Sequence, residues 1–82
     1  MKEYYVLKNG RLRRHENTIE FVNGDQKRSL PLHNIYSLHL FGETDLNTKV
    51  LNFLSQNGIP IHFYNFYGYY SGSFYPREKL VS

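Results

Sequence analysis

The segment Phe41-Gly42-Glu43-Thr44-Asp45-Leu46-Asn47-Thr48-Lys49-Val50-Leu51-Asn52-Phe53-Leu54-Ser55-Gln56-Asn57-Gly58-Ile59-Pro60 predicts the one helix of the chain. Leu46, Val50, Phe53 and Leu54 recur at i, i+4, i+7 and i+8, and Leu51 widens the stripe, as a half-buried helix requires. Thr44 or Asp45 is placed to cap it, with Glu43 and Asp45 complementing the positive end of its dipole. Gly58 stands where a left-handed residue ends a helix, and Pro60 follows as a stop. The helix is therefore expected over about residues 45–57.

Outward from that helix the chain reads as strands. On the N-terminal side, Asn34 to Phe41 is apolar on both faces, with Tyr36, Leu38 and Leu40 on one and Ile35, His39 and Phe41 with Ser37 on the other. Such a strand is expected inside a sheet. Further upstream, Tyr4–Lys8, Arg11–His15, Thr18–Val22 and Gln26–Leu30 alternate with the turn signals Asn9-Gly10, Glu16-Asn17 and Asn23-Gly24-Asp25, which predicts a meander of hairpins. Pro31, lacking an N–H, ends it. On the C-terminal side, Ile59–Tyr64 and Tyr69–Tyr75 flank a turn at residues 65–68, with Gly72 expected as a bulge or a close-approach point. His39 and His62 are expected beside the core, each making one hydrogen bond. The fold class is mainly β with one helix (α+β), a small β-sandwich or curled barrel of about seven strands. Residues 1–76 form the β-domain, and residues 77–82 begin a linker.

Size and composition narrow the functions. A chain of 82 residues is one domain and buries only about 60–65% of the surface its unfolded form exposes. No cysteine is present, which removes disulfides, thiol nucleophiles and Cys-based zinc sites. Fourteen aromatic residues, eight Tyr and six Phe, can fill a small core and leave rings over for a partner or a docked second domain. No apolar run is long enough to span a membrane. No signal peptide opens the sequence, so a cytoplasmic site is expected.

The net charge of +3 is mild but unevenly spread. Arg11, Arg13, Arg14, Lys27 and Arg28 fall on neighbouring strands, so two readings stand: a solvated meander, or a phosphate-facing surface. Contact with about four phosphates would give a log–log salt slope near −3.6. Tyr67 and Tyr69, beside a turn tip, are the tyrosines free to stack on a base or meet a partner. His33, His39 and His62 match no zinc or two-metal spacing, and Glu43 and Asp45 are better explained as helix-end residues than as a carboxylate pair. No metal, cofactor or catalytic residue is expected within the chain.

Phe41-Gly42-Glu43, Asp45-Leu46-Asn47-Thr48-Lys49, Leu51-Asn52-Phe53-Leu54-Ser55, Gly58-Ile59-Pro60-Ile61-His62-Phe63, Tyr67-Gly68-Tyr69-Tyr70 and Gly72-Ser73-Phe74-Tyr75-Pro76-Arg77-Glu78, with Asn9-Gly10-Arg11-Leu12 and Asn17-Thr18-Ile19 earlier, carry a likeness over nearly the whole chain. The pattern resembles the N-terminal β-domain of the CRISPR-associated endonuclease and integrase family of spacer acquisition, in its type I-B-like branch. The resemblance implies a following helical domain that holds the metal-binding Glu, His and Asp with Mg or Mn and cuts and joins DNA. It also implies a homodimer through the β-domain, double-stranded DNA as substrate, and a small CRISPR adaptation protein dimer clamped between two such dimers. Some relatives wedge a tyrosine of this domain against a duplex end. The chain by itself is then expected to be inactive. The alternative is a free-standing β-module that binds single-stranded nucleic acid or a protein partner.

Overall fold

Alternating polar and apolar residues joined by two-residue turns favour antiparallel neighbours, and three strands obey that rule. In the computed structural model, which describes residues 1–77, β2 (Gly10–His15), β3 (Thr18–Asn23) and β4 (Gln26–Ser29) form the expected meander. Leu12, Ile19 and Phe21 are its buried residues. Leu30 then donates its N–H to the Ile19 carbonyl at 2.9 Å, and Pro31 opens a single 3-10 turn, Leu32–Asn34.

The first strand departs from the expected hairpin. β1 spans Lys2–Val6 rather than Tyr4–Lys8, and it pairs in parallel with β5 (Ile35–Leu40) instead of folding back on β2. In turn β5 pairs in parallel with β7 (Ile61–Tyr64), and β8 (Tyr70–Phe74) adds on antiparallel. Asn9-Gly10 is thus a crossing between sheets. Its turn-forming preference loses to burial: beside β5, Val6 is only 6% exposed, whereas an isolated hairpin has little to cover it. Asn9 is held by tertiary partners, its Oδ1 accepting the Glu43 N–H at 2.8 Å and its carbonyl accepting from Asn23 Nδ2 at 2.7 Å.

As expected, β5 is internal, but Tyr36 does not join Leu38 and Leu40 in the core. Lys2 pairs with Ile35 and Glu3 with Ser37, which leaves Tyr36 as the extra residue of a bulge and turns it out to 62% exposure. Ile35 takes the buried place.

The helix α1 runs Thr48–Gln56, shorter at its start than expected. Asn47 caps it, its Oδ1 accepting the Val50 N–H at 3.1 Å. Thr44 and Asp45 instead form β6 (Thr44–Asp45), parallel to β2, opposite Gly10 and Arg11. Thr44 and Asp45 pair with the open edge of β2, so neither caps the helix, and its first turn carries no acidic residue. Val50, Phe53 and Leu54 are buried, and Leu46 and Leu51 pack partly against the core. The C-terminus is as expected: Gly58 has φ +72, and the Ile59 N–H reaches the Leu54 carbonyl at 2.9 Å. Asn47→Ala should therefore cost about 1 kcal/mol in urea unfolding and Asp45→Ala clearly less; the reverse order would restore the cap to Asp45.

The β7–β8 hairpin turns at residues 65–68 as expected, with Asn65 Oδ1 accepting the N–H groups of Tyr67 and Tyr69 at 2.9 and 3.0 Å. Phe63 pairs with Gly72 and Tyr64 with Tyr70, so the bulge falls on Ser71 rather than on Gly72.

Both sheets are mixed, in the orders β1-β5-β7-β8 and β4-β3-β2-β6. One core joins them, built from Val6, Leu38, Leu40 and Ile61 of the first, Leu12, Ile19 and Phe21 of the second, and the helix stripe. The α+β class and the layered arrangement agree with the sequence. The barrel does not form, because among the described residues β1, β8, β4 and β6 all remain edges, and β6 raises the strand count there to eight.

Candidate nucleic-acid interface and aromatic face

Strand register sorts the basic residues. Arg11 lies opposite Val22, and Val22 opposite Lys27. Directly paired residues share a face, so Arg11 and Lys27 flank one row on the outside of the second sheet. Both are exposed, and among the described residues neither has an ion-pair partner. Arg13 is on the same face, but its Nη2 and Nε each stand 3.2 Å from Glu20 Oε1. Arg14 is on the other face, its guanidinium carbon 4.2 Å from the Phe53 ring centroid and its Nε donating to the Glu16 carbonyl at 2.8 Å. Arg28 is exposed opposite Phe21, on the side facing the first sheet.

The five basic residues are thus not one patch. Arg11, Lys27 and Arg28 present free charge, while Arg13 and Arg14 hold the scaffold. A cation over an aromatic face contributes about 0.5–1 kcal/mol at such sites, a structural role that spacing alone does not reveal.

Tyr67 and Tyr69 are 80% and 72% exposed at the β7–β8 turn. Phe66, not singled out in the sequence, is equally exposed and packs edge-on against Tyr67 with ring centroids 5.4 Å apart. This tip belongs to the first sheet and the basic strands to the second, so no shared strand joins the two groups.

The outer face of the first sheet carries a feature that the sequence did not disclose. Pairing aligns Tyr5, His39, His62 and Ser73 in one row across four strands. Tyr5 stacks on His39 at 4.8 Å, His39 on His62 at 4.9 Å, and Phe41 on Tyr64 at 4.1 Å. His39 makes three contacts rather than one: Nε2 is 2.8 Å from Glu3 Oε2 and 3.1 Å from Ser37 Oγ, and Nδ1 is 2.8 Å from the Tyr64 hydroxyl. A carboxylate only accepts, so in the neutral ring Nε2 carries the proton and Nδ1 accepts from Tyr64. His62 Nδ1 stands 2.6 Å from Ser73 Oγ, as does the Tyr70 hydroxyl. The available signal was the i, i+2 spacing of aromatic rings in His39/Phe41 at the end of β5 and His62/Tyr64 in β7, which becomes a surface only once the register is known.

No three His, Cys, Asp or Glu side chains converge on one point among the described residues. Glu43 and Asp45 line a shallow depression with Arg11 and Arg13, and His33 is exposed in the 3-10 turn. None of these groups offers a divalent ion the ligand set it needs. No helix among the described residues is long and apolar enough to cross a membrane.

Fold and surface chemistry define a small two-sheet α+β module that presents free charge on one sheet and packed aromatic rings on the other. The chain belongs to the family of CRISPR associated protein Cas1, whose model matches residues 4–82. It is 55% identical to CRISPR-associated endonuclease Cas1 3 of Thermodesulfovibrio yellowstonii, over 100% of this chain and 26% of that protein. It is 53% identical to CRISPR-associated endonuclease Cas1 of Methanothermobacter thermautotrophicus, over 99% of the chain and 24% of the relative. A CAS1 protein from Thermotoga maritima superposes with TM-score 0.92 at 46% identity, over 99% of this chain and 27% of that one. The fold alone is shared with the protein of a TtCas1-DNA complex (TM-score 0.83, 14% identity, 98% and 30% covered) and with a chain of a partial Cas6-RT-Cas1–Cas2 complex (0.78, 16%, 90% and 23%). The chain spans about a quarter of the length of the curated relatives it matches.

Proposed function

We propose that the chain is the N-terminal dimerisation and DNA-positioning domain of a CRISPR-associated DNA endonuclease and integrase that inserts spacers into the CRISPR array. The observation that carries this reading is the match over nearly the whole chain to about a quarter of proteins named as CRISPR-associated endonucleases. On this reading residues 1–76 are the β-domain, residue 77 begins the linker, and the rest of that linker, residues 78–82, lies outside the described residues. The protein works in the cytoplasm as a homodimer on double-stranded DNA, together with a small CRISPR adaptation protein dimer. The fold shared with chains of a Cas1-DNA complex and a Cas1–Cas2 complex supports both partners.

Metal-dependent cutting and joining, with Mg or Mn, is assigned to a helical domain elsewhere. The residues described here do not fit that metal, since no three ligand side chains converge, and none of its chemistry is routed through them. Within this domain Arg11, Lys27 and Arg28 contact phosphates, Arg13 and Arg14 keep the strands in place, and Phe66, Tyr67 and Tyr69 offer rings to a partner or a duplex end.

Titration of a short duplex at several salt concentrations tests the assignment. Arg11→Ala with Lys27→Ala should reduce the log–log salt slope by about 1.8, since each phosphate contact contributes about 0.9. Arg14→Ala should lower stability and leave the slope unchanged. An unaltered slope in the double variant would remove DNA from the outer face of the second sheet. The chain with added Mg or Mn should leave the duplex intact, and metal-dependent cleavage would overturn the assignment of catalysis to another domain.

A further inference from the structure

The two sheets part at one end around a cleft of about 520 Å³, lined by β1 and its continuation to Lys8 and by Phe21, Asn23 and β4. Both β1 and β4 are edge strands, so among the described residues each leaves a row of backbone groups without a sheet neighbour. Charged residues on an edge discourage pairing, and β4 has them in Lys27 and Arg28. Along Tyr4-Tyr5-Val6-Leu7 the β1 edge has none, and Leu7 is 72% exposed. Val6 and Tyr4 both pack against the core. A strand laid beside β1 would set its alternate side chains into that same apolar layer.

Charge defines the visitor further. The lining includes Lys8, Lys27 and Arg28 and no carboxylate. The aromatic rings of the lining have little free area: Phe21 is buried, and Tyr5 stacks one face on His39 at 4.8 Å. Tyr4 and Phe21 pack into the core, which leaves Tyr5, 55% exposed, as the one ring of the lining on which a nucleobase could stack. An extended peptide needs no ring, because main-chain hydrogen bonds give its affinity and alternate pockets its specificity.

We propose that this cleft is a strand-addition site for an extended acidic segment of a partner chain, which pairs with the β1 edge, buries alternate apolar side chains beside Tyr4 and Val6, and directs carboxylates at Lys8, Lys27 and Arg28. The site shares Lys27 and Arg28 with the proposed phosphate contacts, whereas Arg11 is outside the cleft and Tyr4–Lys8 are outside the DNA face, so shifts along β1 report the cleft and loss of Arg11 reports DNA.

The probe is a capped peptide of alternating valine and glutamate, about eight residues long, enough for one strand. Its binding to the 82-residue chain is followed by amide chemical shifts. The expected result is saturable shifts at Tyr4–Lys8 and Gln26–Arg28. Two N-methylated forms of the peptide, blocked on alternate amides, separate strand pairing from simple charge attraction. The form blocked on the pairing side should bind at least about tenfold more weakly, having lost two or more main-chain hydrogen bonds, and the other should bind as before. Lys27→Glu with Arg28→Glu should weaken the acidic peptide by about tenfold or more and favour one of valine and lysine. Equal affinity of the two N-methylated forms would overturn strand addition. A thymidine oligonucleotide that shifted the same amides at lower concentration than the peptide would overturn the choice of occupant.

Discussion

Leu38→Ala should lower the unfolding free energy by about 3 kcal/mol, a truncation that removes apolar burial and leaves a cavity. Leu38 is fully buried at the centre of the parallel strands, in register with Tyr4 on β1 and Ile61 on β7. Its N–H is also fixed, donating to the Pro60 carbonyl at 2.9 Å, so the backbone has little freedom to close the void. A domain of this size holds only about 5–10 kcal/mol in total, so the loss is a large share of it, equivalent to roughly 15 °C in melting temperature. Tyr36→Ala is the matched control. Simple alternation puts Tyr36 and Leu38 on one face, yet the bulge exposes Tyr36, and its truncation should change stability by less than about 0.5 kcal/mol. Comparable losses in the two variants, read from urea midpoints by circular dichroism, would show that the bulge is misplaced.

Gly42→Ala should be of similar severity for the opposite reason. A Cβ at Gly42 would run into the Lys8 carbonyl and stand 2.8 Å from the Asn9 nitrogen. Backbone cannot swing aside as a side chain can, so the cost should reach the upper end of overpacking, about 3 kcal/mol. The collision falls where the link from β1 to β2 passes the link from β5 to β6. The same junction holds Phe41 N–H to the Val6 carbonyl at 2.9 Å and Gly10 N–H to the Glu43 carbonyl at 3.0 Å. Amide exchange of Gly10 and Phe41 should accelerate in the variant beyond the change in global stability. Gly72→Ala, where among the described residues nothing but its own chain neighbours lies within 4 Å of the added carbon, should be nearly neutral. A Gly42→Ala protein as stable as the parent would mean that the two links do not touch.

How much of this was legible depended on whether the deciding interaction was local. The β2–β3–β4 meander, the interior and C-terminal cap of α1 and the β7–β8 hairpin are each settled by residues within a few positions of one another. Ile19 and Phe21 are buried together as strand alternation requires, and Gly58 takes its left-handed conformation because it directly follows the helix. The N-terminal cap was not legible: Thr44 or Asp45 was expected, and Asn47 takes the place. Thr44, Asp45 and Asn47 are all good cap residues, and what separates them is that β2, more than thirty residues upstream, draws Thr44 and Asp45 into a strand. For β1, an Asn-Gly pair signalled a hairpin, but a parallel place beside β5 buries Val6 and prevailed.

The candidate site divides in the same way. Sequence identified the carriers of charge and the aromatic turn, but not which charges are free. Arg13 is joined to Glu20 by pairing across one turn, and Arg14 reaches Phe53 on a helix far along the chain, so of these five only Arg11, Lys27 and Arg28 are left without a partner among the described residues. The row Tyr5, His39, His62 and Ser73 comes from four separate segments. Each member by itself looked like an ordinary strand residue.

By itself, the sequence determined the class of fold, the helix, the antiparallel half of the strands and the family, because short-range periodicity, turn chemistry and a pattern spread along the whole chain are properties of residue order. The tertiary structure alone decided the parallel pairings, the crossing at Gly42, the split of the basic residues and the cleft between the edges of β1 and β4. Each of these depends on which distant segments compete to cover the same apolar surface, and that competition is resolved only when all of them pack at once.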